Sequence, residues 1–350
     1  MAEALSIAGH RIGPNQACFV IAEAGVNHNG DTGLALRLID AAADAGADAV
    51  KFQTFSAERL ASAVAGMADY QKRNTGQDIS QLEMLKALEL DEASWPDLLA
   101  RCRARGIVFL SSPFDELAAD LLDRIDVPAF KIPSGEITNS PYLAHIARLQ
   151  RPMIVSTGMA TMAEIATALD TIAAAGNPPV VLLQCYSDYP SRPEDQNLRV
   201  MASLEKAFGV PVGFSDHTEG FTVTVAAAAL GACVIEKHFT LDRAMPGPDH
   251  RMSLEPGELA QMVAAVRAAQ AALGDGVKQP RGSELETRSH ARKSIVAAAN
   301  IREGEVLTER NLAIRRPGSG LAPATLPLLI GRRARHAIAA GSLITLDSLT

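Results

Sequence analysis

The sequence predicts a (β/α)8 barrel followed by a small β-rich module. Three observations carry that expectation. Short apolar runs recur eight times between residues 19 and 237, and helix-like stretches fill most of the intervals. Nearly every run ends in hydrogen-bonding or charged residues, as expected of a barrel whose site lies at the C-terminal ends of its strands. Hydrophobic residues make up 47% of the chain but aromatics only 4%. The core must therefore be Ala, Val, Leu and Ile, which suits helices packed on buried parallel strands. An open doubly wound sheet is the alternative, but eight evenly dispersed units favour closure.

Taken in order, residues 5–12 alternate around Gly9 and read as a hairpin ahead of the main fold. Residues 19–25, FVIAEAG, form a buried strand that breaks into the polar loop Asn27-His28-Asn29-Gly30-Asp31. An amphipathic helix over 34–45 follows and stops at Gly46. Further strands are read at 49–52, 107–110, 129–132, 153–155, 180–183, 211–214 and 233–237, with helical stretches such as 117–125, 163–175 and 223–229. The interval 54–105 is longer than the others and holds the polar segment YQKRNTG with two helical patterns. It reads as a lid over the catalytic face or as a packing insertion.

After a helix at 258–273 the texture changes. Residues 274–288 are rich in Gly, Lys, Arg and Glu without an apolar period, which marks a linker. The domains are accordingly drawn as 1–280, a linker at 281–290 and a module at 291–350. Within the module, 301–308 (IREGEVLT) is echoed by 338–345 (IAAGSLIT). About sixty residues should have little core of their own and should dock on another surface.

A net charge of -7 and the lack of a long Lys/Arg block argue against nucleic acid. No apolar run reaches membrane-spanning length and no signal-peptide pattern is visible, so a cytoplasmic chain without membrane contact is expected. Cys18, Cys102, Cys185 and Cys233 lack CxxC spacing, and all but Cys102 sit in or beside apolar runs. They read as small buried residues in a reducing compartment.

The strand ends supply the candidate chemistry. In order they are Glu23; Lys51 and Gln53; Ser111 and Ser112; Lys131, Ser134 and Glu136; Ser156; Gln184, Ser187 and Tyr189; His217; and Glu236 with His238. Lys51 and Lys131 lie inside apolar runs, AVKF and AFKIPS. A buried lysine costs several kcal/mol unless it is paired or faces a polar cavity. With Ser112, Ser134 and Ser156 they would make an anion site for a phosphate or carboxylate. Pairing with Glu23 or Glu136 for stability alone is the other reading. His217 and His238, from adjacent strand ends and flanked by Asp216, Glu236, Asp249 and His250, can hold a divalent metal with positions left open. As lone strand-end histidines they could equally be satisfied polar residues.

The segments FVIAEAGVNHNGD, AVKFQTF, FLSSPFD, KIPSGEITN, STGMA, GFSDHT and EKHFTLDR resemble the sialic acid synthase family. The tail, ARKSIVAAANIREGEVLT with RRPGSGLAP, resembles that family's C-terminal antifreeze-like (SAF, β-clip) domain. The resemblance implies condensation of phosphoenolpyruvate with an acylamino hexose and release of phosphate by C–O cleavage. N-acetylmannosamine is the first expectation for the acceptor, with legionaminic- or pseudaminic-type acceptors as alternatives. It implies that Lys51, Ser112, Lys131, Ser134, Ser156 and Ser187 bind phosphoenolpyruvate. His217 and His238 would hold a divalent metal, manganese first, with magnesium or cobalt as alternatives. Glu23, Gln53, Glu136, Tyr189 and Asp249 would contact the sugar or an attacking water. The catalytic set would be Glu23, Lys51, Lys131, Glu136, His217 and His238. Arg316 would reach the sugar's acylamino group from the partner's tail in a domain-swapped homodimer. Many members carry Thr-Asn in the loop after the sixth strand, where this chain has Tyr186-Ser187-Asp188-Tyr189-Pro190.

Overall fold

Along each strand of the barrel, alternate side chains turn inward, and their character changes from apolar to polar toward the C-terminal end. Phe19 and Ile21 give way to Glu23, Leu110 to Ser112, Ala129 to Lys131, Ile154 to Ser156, and Val234 to Glu236 and His238. That gradient places a packed core at one end and a polar mouth at the other.

The computed structural model describes residues 2–62, 64–76 and 78–350. The chain divides into two units, Met1–Gly274 and Asp275–Thr350. In the first, the hairpin β1 (Leu5–Ile7) and β2 (His10–Ile12) precedes eight parallel strands. These are β3 (Phe19–Gly25), β4 (Ala49–Thr54), β5 (Val108–Pro113), β6 (Phe130–Ile132), β7 (Met153–Ser156), β8 (Val180–Cys185), β9 (Val212–Asp216) and β10 (Val234–His238). Their order is β5-β4-β3-β10-β9-β8-β7-β6, so first and last strands pair and the sheet curls into a barrel. Among the described residues β5 and β6 lie side by side without a ladder, leaving closure nearly complete.

Ile7 and Ile12 of the hairpin pack with Phe19, Ile21, Leu110, Ile154, Val181 and Leu183, all buried. The hairpin thus plugs the N-terminal end of the barrel. Gly213 is needed in this interior because a Cβ there would collide with the Val234 carbonyl and Leu183. Outward strand residues such as Val50, Phe130 and Phe214 form a second core with helix residues including Leu38, Ile39, Leu122 and Leu143. Each such side chain contributes roughly 1.5–3 kcal/mol on burial. The helices begin where the sequence offers caps. Asp31 accepts from the Leu34 amide at 2.9 Å to start Thr32–Asp44. Thr161 and Glu164 form a capping box for Met162–Ala175.

Among its described residues the long second interval holds four α-helices, Ala57–Leu60, Asp69–Thr75, Gln81–Lys86 and Trp95–Arg105, where two patterns were expected. Ala57, Ala61, Met67, Met84, Leu85 and Leu88 pack on one another and on Val26. Asn74 Nδ2 donates to the Pro248 carbonyl at 2.7 Å and ties the insertion to the loop after β10.

The second unit pairs β11 (Ser294–Ala297) antiparallel with β12 (Leu312–Arg315). The two echoing segments meet at the Ile301–Ile338 bridge. One sequence expectation is revised here. The tail does have a core, with Ile295, Ile301, Leu307, Leu312, Ile338 and Ile344 all buried. The segment read as a linker, 281–290, carries most of a helix, Glu284–Ala291. That helix buries none of its residues, so it left no apolar period to read.

Candidate active site

At the polar mouth a cavity of about 550 Å³ is lined by residues from all eight strands or the loops that follow them. Its floor is a buried network of two cations and two carboxylates. Lys51 Nζ lies 2.7 Å from Glu23 Oε2 and 3.6 Å from Glu236 Oε2. Lys131 Nζ lies 3.4 Å from Glu236 Oε1. Each ammonium also donates to a hydroxyl, Lys51 to Ser112 Oγ at 3.0 Å and Lys131 to Ser156 Oγ at 2.8 Å. Ser215 Oγ donates to Glu236 Oε1 at 2.9 Å. All four charged residues are at most 5% exposed.

The network does not share its charge evenly. Burial opposes ionisation of Glu236, but Lys131 and Lys51 outweigh it and hold its pKa down at about 2. Glu23 is ion-paired with Lys51, which Glu236 also uses. Burial therefore dominates, the Glu236 charge adds to it, and the Glu23 carboxyl is pushed up to about 7. Burial also works against Lys51, yet its two carboxylate neighbours raise its pKa. Lys131 is lowered, first by burial and then by Lys51, with Glu236 opposing. Near neutrality Glu236 is firmly ionised and Glu23 only partly so, so the floor holds less negative charge than its two carboxylates would give if both were fully ionised.

Ser134 and Ser187 extend this floor. The Gly158 amide donates to Ser134 Oγ at 3.0 Å, and among the described residues Ser187 Oγ is buried without a hydrogen-bond partner. A side chain at 158 would run into both hydroxyls, which explains the glycine. Gln53 lines the cavity and donates to Glu23 Oε1 at 3.4 Å.

Two residues beyond Ser215 and Glu236 of this floor, the His217 and His238 rings stand 5.6 Å apart, centroid to centroid. His217 Nδ1 lies 2.8 Å from the Tyr186 carbonyl, which makes it the protonated nitrogen and leaves Nε2 free to ligate. Among the described residues His238 Nδ1 is buried without a hydrogen-bond partner. This pair can hold a divalent cation. Among the described residues no group of three His, Cys, Asp or Glu is arranged as a cage, so other ligands would come from substrate or water. The Tyr189 ring is 4.1 Å from His217 and 6.1 Å from His238, and Tyr70 of the insertion stacks on it at 5.0 Å. Asp249 also lines the cavity. Burial pushes its carboxyl up to about 6, with His217 opposing.

The fold therefore brings together Glu23, Lys51, Gln53, Ser112, Lys131, Ser134, Ser156, Ser187, Tyr189, His217, His238 and Asp249. Glu136 is not among the lining residues. Its Oε2 accepts from Asn139 Nδ2 at 2.7 Å, beside the start of helix Ser140–Arg148. His250 is likewise engaged elsewhere, with Thr240 Oγ at 2.6 Å and Asn29 Oδ1 at 3.2 Å. Arg316 belongs to the second unit, where its Nε donates to the Ala291 carbonyl at 3.1 Å.

Some cavity residues were not singled out from sequence. Glu236 stands among the strand-end candidates and flanks His238 but has no role of its own in the sequence reading, although residues two apart on a strand share a face. Ser215 stands in the same relation to His217. Cys185, 3.8 Å from His217 Nδ1, was read only as a small buried residue. Tyr70, Gln71, Gln81, Met84 and Leu85 come from the insertion, and nothing local marks them as lining.

Comparison with known proteins agrees with this geometry. The chain is 48% identical over 315 residues to the N,N'-diacetyllegionaminic acid synthase of Campylobacter jejuni, covering 89% of this chain and 94% of that one. It is 38% identical over 328 residues to the N-acetylneuraminate-9-phosphate synthase of Homo sapiens, covering 93% and 90%. It is also similar to the crystal structure of the spore coat polysaccharide biosynthesis protein SpsE from Bacillus subtilis, with TM-score 0.69, 40% identity and 99% of both chains covered. Residues 292–350 match the SAF domain, and residues 38–278 match the NeuB family model. A barrel mouth built on two buried lysines, followed by an SAF domain, thus places the chain in the NeuB family of sialic acid synthases, enzymes that form a carbon–carbon bond between phosphoenolpyruvate and an acylamino sugar.

Proposed function

We propose that this chain condenses phosphoenolpyruvate with an unphosphorylated acylamino hexose to give a nonulosonate and phosphate. The observation that carries this is the paired lysine floor, Lys51 and Lys131, lining one cavity together with the imidazole pair. Lys131, Lys51 and the hydroxyls of Ser112, Ser134, Ser156 and Ser187 would hold the phosphate and carboxylate. His217 and His238 would hold a divalent ion, manganese first. Such an ion supplies Lewis-acid polarisation of the sugar aldehyde when bound. The enol carbon attacks the aldehyde carbon, and the cationic centre left at C2 takes up water. Glu23 accepts the proton from that water, which suits a carboxyl held near neutrality. The resulting tetrahedral carbon expels phosphate by C–O cleavage, while the ammonium groups stabilise the departing charge.

For the acceptor, the lining supports a different choice from the N-acetylmannosamine first expected. The insertion contributes Leu60, Met84, Leu85 and Leu88 to the cavity wall, with Val26 and Phe114 beside them. An apolar wall suits a second acyl group better than a row of free hydroxyls. Similarity to an N,N'-diacetyllegionaminic acid synthase points the same way. Among the lining residues Lys51 and Lys131 are the only lysines and there is no arginine, which argues against a phosphorylated acceptor. No described helix is long and apolar enough to cross a membrane, and the four free thiols are buried, both compatible with a cytoplasmic enzyme.

The test is phosphate release from phosphoenolpyruvate against a panel of acylamino hexoses, before and after chelation. Release should be fastest with a diacylamino sugar, vanish once bound metal is stripped, and return with Mn2+. Full activity in chain shown to be metal-free would sink the metal assignment. No release with any acylamino hexose would sink the function.

We further propose that Arg316 serves a second copy of the chain. The tail carries more Lys and Arg than Asp and Glu although the whole chain is at -7, so it suits an acidic partner surface. Lys131→Ala and Arg316→Ala, each nearly inactive alone, should complement on coexpression. Random pairing in a twofold dimer returns roughly a quarter of wild-type activity. Mixed dimers that form, by tag pull-down, yet stay inactive would rule out the exchange.

A further inference from the structure

We propose that Asp216 and Lys237, an ion pair outside the cavity, are positioning residues that set the separation of the His217 and His238 imidazoles. The inference rests on the proposed role of those imidazoles as a divalent-cation site. Asp216 and Lys237 are direct partners across the β9–β10 ladder. Each is the residue immediately before one of the histidines. Successive residues on a strand point to opposite faces. Ser215, His217, Glu236 and His238 line the cavity, so Asp216 and Lys237 turn outward, behind it.

There they are as buried as the core, at 1% exposure each. Lys237 Nζ is 3.2 Å from Asp216 Oδ2. Asp216 Oδ1 accepts from both the amide and the hydroxyl of Thr218 at 2.8 Å, and Oδ2 accepts from Thr224 Oγ. Lys237 Nζ also donates to the Thr218 carbonyl. One carboxylate and one ammonium therefore tie together the ends of two strands, the turn after His217, and the helix Thr222–Ala229. A buried pair is weak evidence for stability, since apolar residues of similar volume would serve as well. What this pair provides is directional contacts. They fix the backbone on both sides of His217 and next to His238, in the way outer contacts orient ligands at metal sites. Sliding either strand end would break several of these bonds at once.

The test uses the full chain, stripped of metal, and Mn2+ as the probe. The double variant Asp216→Asn/Lys237→Met removes both charges and leaves no lone buried ion. Thr224→Val removes one anchor of Asp216 without changing charge. Circular dichroism and gel filtration establish folding, electron paramagnetic resonance measures Mn2+ affinity, and calorimetry measures phosphoenolpyruvate affinity without metal. Mn2+ affinity should fall about tenfold to a hundredfold in the double variant and about threefold in Thr224→Val, with phosphoenolpyruvate affinity nearly unchanged. Wild-type Mn2+ affinity in the folded double variant overturns the proposal, as it does in Thr224→Val should the double variant not fold. Equal loss of both affinities also overturns it, because that signals general disorder. Should the wild-type chain bind no Mn2+, the metal reading falls by itself. The pair is then judged from a crystal structure of Thr224→Val, where an unchanged imidazole separation of 5.6 Å would refute it.

Discussion

Lys131→Ala should weaken phosphoenolpyruvate binding by about 2–5 kcal/mol, roughly thirtyfold to several thousandfold, with far less effect on the sugar. The size follows from burial. Lys131 is 3% exposed, and its ammonium meets Ser156 Oγ and Glu236 rather than water. An anion bound there would interact with a desolvated cation, which is stronger than any exposed pair. The fold should survive the change. Glu236 keeps Lys51 at 3.6 Å and Ser215 at 2.9 Å, so no carboxylate is left alone. Calorimetry with phosphoenolpyruvate checks the binding, and an unchanged affinity would mean that Lys131 only balances Glu236.

Glu23→Gln should lower kcat by about a hundredfold to ten-thousandfold while leaving phosphoenolpyruvate affinity close to wild type. In the wild-type enzyme the rate should rise as pH passes through about 7, where Glu23 loses its proton. The variant should lose that limb of the profile. A thermal measurement tests the same shift. The folded carboxyl holds its proton up to about 7, while in the unfolded chain it ionises near the ordinary 4.5. Its contribution to stability is thus present below about 4.5 and is lost as pH rises toward 7. The wild-type Tm should fall over that window relative to the glutamine variant. A parallel pair of curves would place the Glu23 pKa in the ordinary carboxylate range.

The sequence by itself determined the strands, their order along the chain and the end of the barrel that is polar. Period-two alternation is local, and so is the change from apolar to polar along FVIAEAG or AFKIPS. Lys51 and Lys131 were legible because an ammonium inside an apolar run must find a partner. Tertiary structure decided which partner. Glu23 and Glu236 sit on neighbouring strands β3 and β10, and Lys51 reaches both, whereas Glu136 is held by Asn139. No spacing rule relates residue 51 to residue 236, because barrel closure alone makes them neighbours. The same holds for Tyr70 on Tyr189 and for Asn74 on the Pro248 carbonyl, contacts between a long insertion and distant loops. The outer helix at Glu284–Ala291 escaped notice for the opposite reason. None of its residues is buried, and without a buried face a helix leaves no pattern of apolar residues in the sequence.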